Sequence, residues 1–549
     1  MNNIDIIVIL VFTALVFVCG MSFSKAGKNM KSFFAAGGAL PWWMSGLSLF
    51  MSFFSAGTFV VWGSIAYSSG WVAVSIQWTM CIAGIIIGFF IAPKWQKTKA
   101  LTAAEFIADR LGVTTQKIYT YLFLFISIFT TGAFLYPVAK IVEVSTGIPI
   151  TTSIIVLGIL ILIYTAVGGL WAVIVTDVLQ FIVLTAAVLI VLPLSFDKIG
   201  GINNFIEKAP EHFFDFTNSE YTGVFMVAFG LYNLFFIAGN WAYIQRYTSV
   251  ATPKDAKKVG WLFGGLYVIS PLIWMLPPMI YKVLNPDLGN LADEGAYLLM
   301  CKEVLPVGML GLMLGGMVFA TSSSVNTTLN ISAGVLANDI YKNMFPNTTN
   351  QTLVKVGRIA TVVLGVLTII IALLVPYFGG IVEVVMSLAA LTGGAMFLPP
   401  LWALFSKYQT GKTVLAVTVI SLTINAFFKF FAPSLIGVTL GRAMEMVVGM
   451  GIPIVLLAIL EVYLIQTKSS TTQYTNYLAV KNSKEAVANN EEEDTSSNKK
   501  GIKVIGIGVA ATGLLITILA FLAQSNKTLI WGMGTFIMLL GLFIIKKSK

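Results

Sequence analysis

Four clusters of polar residues lie inside long apolar runs of this chain, where an unused polar group is costly. The first falls within residues 40–67, where Ser48, Ser52, Ser55, Gly57 and Thr58 gather near the middle. Glycine and consecutive small residues weaken a helical ladder. A helix opened there frees backbone carbonyls that can hold an ion or line a cavity, although the same residues also suit a close helix-packing face. The second cluster is the run Ala320-Thr-Ser-Ser-Ser-Val-Asn-Thr-Thr-Leu-Asn-Ile-Ser. Spacing by three and four puts Ala320, Ser323, Ser324 and Thr327 on one helical face. Their hydroxyl oxygens are hard, neutral ligands that suit Na+ rather than zinc or copper, with interhelical hydrogen bonding as the plainer alternative. The third is Asp177, an acid just inside the end of an apolar run; it is either a cation ligand or a helix-end acid near the headgroups. The fourth is Asn233 with Gly239-Asn240-Trp241-Ala242-Tyr243. An amide beside glycine, followed by aromatic rings, can hydrogen-bond a polar solute while stacking on it, but aromatic residues are also ordinary interface anchors. Gln77 is a lone polar residue in another apolar run.

Other chemistries lack their residues. The single histidine, His212, sits in a polar loop, and Cys19, Cys81 and Cys301 are scattered. They make neither a disulfide framework nor a metal cluster, and no acid pair or His-based triad falls in the apolar runs, so an intramembrane enzyme is disfavoured.

The elements that must position these clusters are membrane-spanning helices. The chain has 549 residues, of which 57% are hydrophobic and 11% charged, with a mean hydropathy of +0.88. Soluble chains carry about 25% charged residues, so a soluble enzyme, a disordered chain and a nucleic-acid-binding domain are excluded. Fifteen runs are long enough to span a bilayer: 4–20, 40–67, 71–93, 119–141, 147–168, 172–196, 222–245, 259–282, 303–337, 354–376, 379–405, 413–431, 442–466, 502–523 and 528–546. They are too long and continuous for barrel strands. With the N-terminus outside, 26 of the 34 Lys and Arg residues fall in inner segments, as the positive-inside rule requires. The run after Asp5 has no basic start and no evident cleavage site, so it reads as a retained span. The segment 467–501 is rich in Ser, Thr, Asn and Lys and reads as a disordered cytoplasmic linker to a two-span C-terminal hairpin, 502–549.

From about residue 4 to 466 the chain resembles the sodium:solute symporter family, which includes sodium/galactose and sialic acid symporters. The resemblance rests on Pro41-Trp-Trp with Ser55-Ala-Gly-Thr-Phe, Thr102-Ala-Ala-Glu-Phe before Arg110, and Gly168-Gly-Leu-Trp-Ala-Val-Ile-Val-Thr-Asp-Val-Leu-Gln. Asn240 followed by Gln245-Arg246, and a Ser-rich span ending Asn338-Asp339-Ile340-Tyr341-Lys342, complete it in the same order.

This resemblance implies an all-α polytopic fold of about 15 transmembrane helices with a leucine-transporter-like 5+5 inverted repeat. The first repeat would be 40–196 and the second 222–405, each opening with an interrupted helix. Residues 1–39 would be an extra N-terminal span and inner loop, and 406–466 peripheral spans. It further implies a main Na+ site from the carbonyls of Met51, Phe54 and Ala320 and the hydroxyls of Ser323 and Ser324. A second site would use Asp177, Ser323, Asn326 and Thr327. The solute pocket would hold Ser55, Thr58, Gln77, Asn240, Tyr243 and Tyr267. Gln77, Tyr267 and Met386 stand where the galactose pattern has Glu, Lys and Gln, so fewer hydrogen bonds to sugar hydroxyls are expected. The implied function is import of a small polar solute (sugar, sialic acid or carboxylate class) with sodium, by alternating access, in a multi-pass cell-membrane protein that works as a monomer and has its C-terminus in the cytoplasm. A sodium-dependent sensor or channel on the same fold is the rival reading.

Overall fold

The computed structural model describes residues 2–22, 38, 40–100, 102–164, 170–288, 292–345, 347–490, 496–523 and 526–547. Among these the regular structure is helical, apart from one isolated bridge between Leu40 and Val250.

Helix α1 (Asn3–Met21) carries a buried acid near its start. The Asp5 carboxylate accepts the backbone amides of Gly308 and Gly311 at 2.8 and 3.1 Å. These belong to the group of donors a helix start leaves open, so Asp5 caps another helix, introduced below as α11. The first polar cluster lies in a broken helix. Helix α2 (Trp42–Met51) stops, residues 52–55 turn, and the chain resumes through a π-helical turn (Thr58–Trp62) into α3 (Gly63–Ser69).

Helix α4 (Val72–Ile86) follows, then the short polar α5 (Ala103–Leu111), whose start is capped by Thr102 accepting from the Glu105 amide at 3.1 Å. The long α6 (Val113–Thr146) and α7 (Leu170–Ile199) complete the first half. The second half opens with another break: α8 (Gly223–Gly239) and α9 (Trp241–Thr248) meet at Asn240 with a 61° bend. Helix α10 (Pro253–Leu284) packs against α4 and the π-helical turn that continues it (Ile87–Ile91), where a Cβ on Gly260 would lie 2.6 Å from the Gly88 Cα. Only glycines allow so close an approach of two backbones.

Helix α11 (Met309–Val335) carries the serine-rich run and packs against α1, α6 and α7. Helices α12 (Asn350–Leu374), α13 (Ile381–Thr392) and α14 (Arg442–Gln466) lie further along the chain.

Ten helices among the described residues are long and apolar enough to cross a membrane, or eleven with the bent pair α8–α9 counted as one. The fifteen expected runs include four more, and the differences have local causes. Run 40–67 is broken into pieces. Runs 4–20, 147–168 and 303–337 are represented by the shorter apolar stretches Asn3–Cys19, Ile150–Ile159 and Met309–Ser322, each of which ends where the next side chain lies outside the described residues.

The segment 467–501, expected as a disordered linker, differs more. It holds helix α15 (Thr472–Asn490) and the start of α16 (Ser496–Leu522), which pairs with α17 (Lys527–Lys547). Tyr474, Tyr477 and Leu478, at i, i+3 and i+4, give α15 one apolar face that packs on the protein core. Tyr477 meets Phe106 edge-on at 5.8 Å, and Lys484 pairs with Glu105 and, at 2.6 Å, with Asp109. The low average hydrophobicity of the segment hides these three positions.

Candidate functional site

The break after α2 rearranges the backbone ladder. In a continuing helix the Ser55 amide would bond the Met51 carbonyl, and the Thr58 amide the Phe54 carbonyl. Instead the Ser55 amide reaches the Phe53 carbonyl and the Thr58 hydroxyl, both at 3.2 Å, and the Thr58 amide reaches the Ser55 carbonyl at 3.0 Å. The Thr58 hydroxyl closes the turn by donating to the Phe53 carbonyl. Met51 and Phe54 therefore lose the regular ladder donors to their carbonyls.

Across from the break, α11 brings Ser324 to a cavity of about 60 Å³ that is also lined by Met51, Ser52, Asp177, Asn240, Tyr243 and Arg246. Ala320 is buried one turn away, and the Ser324 hydroxyl lies 3.5 Å from its carbonyl. The side chains of Ser323, Asn326 and Thr327 lie outside the described residues. Asp177 on α7 accepts the Ser48 hydroxyl at 2.6 Å. The same Ser48 oxygen accepts from Arg246 Nε at 3.3 Å, and Arg246 Nη2 stands 3.9 Å from the carboxylate. Acid, hydroxyl and guanidinium are all buried. Arg246 is further held by the Ala242 carbonyl at 3.1 Å and the Gln245 side chain at 3.3 Å.

An adjoining cavity of about 160 Å³ lies between the two broken helices. Ser52, Asn240, Tyr243, Phe123, Thr130, Phe134 and Phe236 line both spaces, so they form one continuous region. Ser55, Thr58 and Tyr267 line the larger space as well. Its described lining contains aromatic rings, aliphatic side chains, hydroxyls and amides, and no Asp, Glu, Lys, Arg or His. Tyr243 packs on Phe53 and Phe236 with ring centroids 4.9 and 5.4 Å apart. Asn240 caps α9, its side chain accepting from the Ala242 amide at 3.0 Å.

At the far end of the broken helix, Ser64 of α3 bonds to Asp293 at 2.8 Å in the 3-10 turn Ala292–Gly295. The neighbouring Glu294 is buried and accepts the Tyr136 hydroxyl of α6 and the Ile381 amide at the start of α13, both at 2.9 Å. Burial raises its carboxyl above the ordinary value. This short turn thus ties together α3, α6 and α13.

The profile of the sodium:solute symporter family matches residues 33–420. The sodium/glucose cotransporter of Vibrio parahaemolyticus is 30% identical over 474 residues, covering 79% of this chain and 87% of that protein. The chain belongs to the sodium:solute symporter family. A sodium/sialic acid symporter of Aliivibrio fischeri is 25% identical, over 77% of this chain and 86% of its own. The solved structure of a Na+-coupled sialic acid symporter in a substrate-bound outward-open state shares the fold, with a TM-score of 0.70 at 22% identity, covering 83% of this chain and 96% of the other. As a member of this family the chain is a membrane-embedded, multi-pass, sodium-coupled symporter and not an enzyme.

Of the residues nominated in this symporter, Met51, Ser324, Asp177, Asn240 and Tyr243 meet at the smaller space, and Ser55, Thr58 and Tyr267 join at the larger one. Gln77 lies apart. It is buried on α4, does not line either cavity, and neither of its amide atoms has a hydrogen-bond partner. Sequence reasoning listed Ser48 only within the first cluster and gave no role to Arg246 or to Phe123, Phe134 and Phe236. Arg246 was visible only as part of a motif, because its pairing with Asp177 joins segments far apart in the chain.

Proposed function

We propose that this symporter imports a small, uncharged, polar organic solute together with sodium, by alternating access. The observation that carries this reading is the uncharged cavity between the two broken helices, which opens directly onto Met51 and Ser324. A carboxylate solute buried there would meet no cation on the larger space's described lining, Arg246 of the adjoining space being already paired with Asp177, and an unpaired buried charge is costly. Sugar-like hydroxyls can bond to Ser55, Thr58 and Asn240, while apolar ring faces lie on Phe53, Phe123 and Tyr243. Among the relatives' solutes, glucose therefore fits this lining better than sialic acid.

In this reading Na+ is held by the carbonyls of Met51, Phe54 and Ala320 and the hydroxyls of Ser323 and Ser324. The displaced ladder amides of Ser55 and Thr58 support it, because a carbonyl without its helical donor is available to a cation. A second Na+ at Asp177, with Ser323, Asn326 and Thr327, completes the set. At a membrane potential of 100 mV each inward charge supplies about 2.3 kcal/mol. Two ions supply about 4.6 kcal/mol, roughly three decades of solute accumulation.

The arrangement of about fifteen spans, ten of them in two five-span inverted repeats at 40–196 and 222–405, belongs to the same reading. The breaks after Met51 and at Asn240, at the openings of the two halves, support it. The N-terminus outside, the C-terminus in the cytoplasm and a functional monomer in the cell membrane belong to the same proposal. The test is a thermal-shift screen of the purified protein in Na+ and in K+ against neutral sugars, polyols, sialic acids and other carboxylates. Stabilisation by a bound ligand grows with its concentration over Kd, so a neutral solute that stabilises only in Na+ supports the reading. A carboxylate hit with no neutral hit contradicts it.

A further inference from the structure

The break in the first helix is fastened to α11 by a hydrogen bond that does not involve an ion. The Ala56 amide, which in a continuing helix would bond the Ser52 carbonyl, is taken up instead by the Thr321 side-chain oxygen at 2.9 Å, across 265 residues of chain. The Thr321 hydroxyl donates its own proton to the Met317 carbonyl within α11, also at 2.9 Å. Both partners are buried out of reach of solvent, Thr321 and Ala56 each at 0% exposure. An amide left unpaired there would carry its full desolvation cost.

The position of this bond matters. Ala56 opens the resumed half of the broken helix, two residues after Phe54. Thr321 directly follows Ala320 and is three residues from Ser324. The two backbones that would share the main sodium ion are therefore joined beside it. At about 100° per residue Thr321 flanks the 320/323/324/327 stripe, and its hydroxyl is taken up by the Ala56 amide and the Met317 carbonyl, which leaves that stripe to an ion.

We propose that Thr321 is a positioning residue of the main sodium site: its hydroxyl holds the resumed helix in register with α11, so that carbonyls and hydroxyls already converge before the ion arrives. This rests on the reading of that site given above. Without the bond, sodium must order the break as it binds, and its apparent affinity falls. Once sodium is saturating the break is ordered, so the apparent solute affinity is restored.

The experiment compares sodium-driven uptake by proteoliposomes carrying wild type, Thr321→Val, Thr321→Ser and Ser324→Ala, using a solute identified by the screen above. Valine keeps the branched shape and removes the acceptor. We expect Thr321→Val to raise the sodium half-saturation by about tenfold, with the solute KM at saturating sodium within about twofold of wild type. Thr321→Ser should restore the wild-type sodium dependence. Ala56→Pro, which removes the same bond from the donor side, should move sodium dependence in the direction of Thr321→Val and serves if that variant does not fold.

An unchanged sodium half-saturation in Thr321→Val or Ala56→Pro overturns the proposal, as does an equal loss in Thr321→Ser. A solute KM that stays raised at saturating sodium also overturns it. If Ser324→Ala raises the sodium half-saturation while the Thr321 and Ala56 variants do not, the positioning role alone fails. If Ser324→Ala changes nothing, the sodium-site reading fails with it.

Discussion

Ser48 donates a hydrogen bond to Asp177 at 2.6 Å while accepting one from Arg246 at 3.3 Å, so a single hydroxyl sits between a buried acid and a buried base. The guanidinium and carboxylate stand 3.9 Å apart. Removing one partner of a buried charge pair is more damaging than removing both, because it strands the other charge. Asp177→Asn should therefore lower the melting temperature, with a cost of about 3–5 kcal/mol before relaxation, and Asp177→Asn with Arg246→Met should recover part of it. If Asp177 also holds a second ion, both variants should reduce the charge moved per solute by one. An unchanged charge-to-solute ratio in both would remove Asp177 from the ion pathway.

Ser324 borders the same space as Met51. A hydrogen-bond-like contact to a charged partner is worth about 1.5–3 kcal/mol, which corresponds to roughly ten- to a hundredfold in affinity. Ser324→Ala should raise the sodium half-saturation of uptake by that factor. A shift below twofold would place the hydroxyl in helix packing instead.

Asn240 does two jobs that a mutation can separate. Its side chain caps α9 and also lines both cavities. Asn240→Ser keeps a capping oxygen and shortens the reach into the cavity. It should raise the solute KM several-fold while leaving the melting temperature and the sodium half-saturation near wild type. Equal losses in solute and sodium dependence would take Asn240 out of the solute pocket.

Much of this arrangement was readable in the residues. Small and hydroxyl-bearing residues in an apolar run announced the break near Ser52, and Gly239-Asn240 announced the second one. Spacing along a helix also pointed to Ser324, which α11 brings to the smaller cavity. What escaped the sequence depends on contacts between distant segments. Thr321 sits off the 320/323/324/327 stripe, and its partner Ala56 has no side chain to suggest a bond. Asp5 looked like a flank of a span, yet it caps a helix some 300 residues away. Gln77 was placed in the pocket by the family resemblance, but which way it faces is set by the packing of α4.

Helix α15 makes a separate prediction. Lys484 bridges Glu105 and Asp109, and side chains in this cluster are about a quarter to a third exposed, so each pair is worth about 1 kcal/mol or less. Lys484→Glu replaces two attractions with two repulsions. It should release residues 472–490, seen as faster hydrogen exchange and easier proteolysis. In the wild type, high salt should produce a weaker form of the same change. Unaltered protection in Lys484→Glu would assign the docking to Tyr474, Tyr477 and Leu478 alone.

Glu294 gives a pH dependence of defined sign. Burial raises its carboxyl above the ordinary value of 4.5 and Asp293 adds to this, while the Ile381 amide, the Tyr136 hydroxyl and Lys140 oppose it. A raised carboxyl binds its proton more readily in the packed turn than in the unfolded chain. Packing is therefore unpenalised below the ordinary value and loses stability as pH climbs through the raised one. Relative to Glu294→Gln, the wild type should lose melting temperature as the pH rises above the ordinary carboxyl value. Parallel profiles would mean that Glu294 is ionised at no cost.

The most direct test of sodium coupling at the broken helix is solute accumulation in proteoliposomes under an inward sodium gradient, with potassium in its place as the control. The account predicts accumulation above the outside concentration in sodium, none in potassium, and a raised sodium requirement in Ser324→Ala. Sodium current without accumulation, or accumulation that persists in potassium, would contradict it.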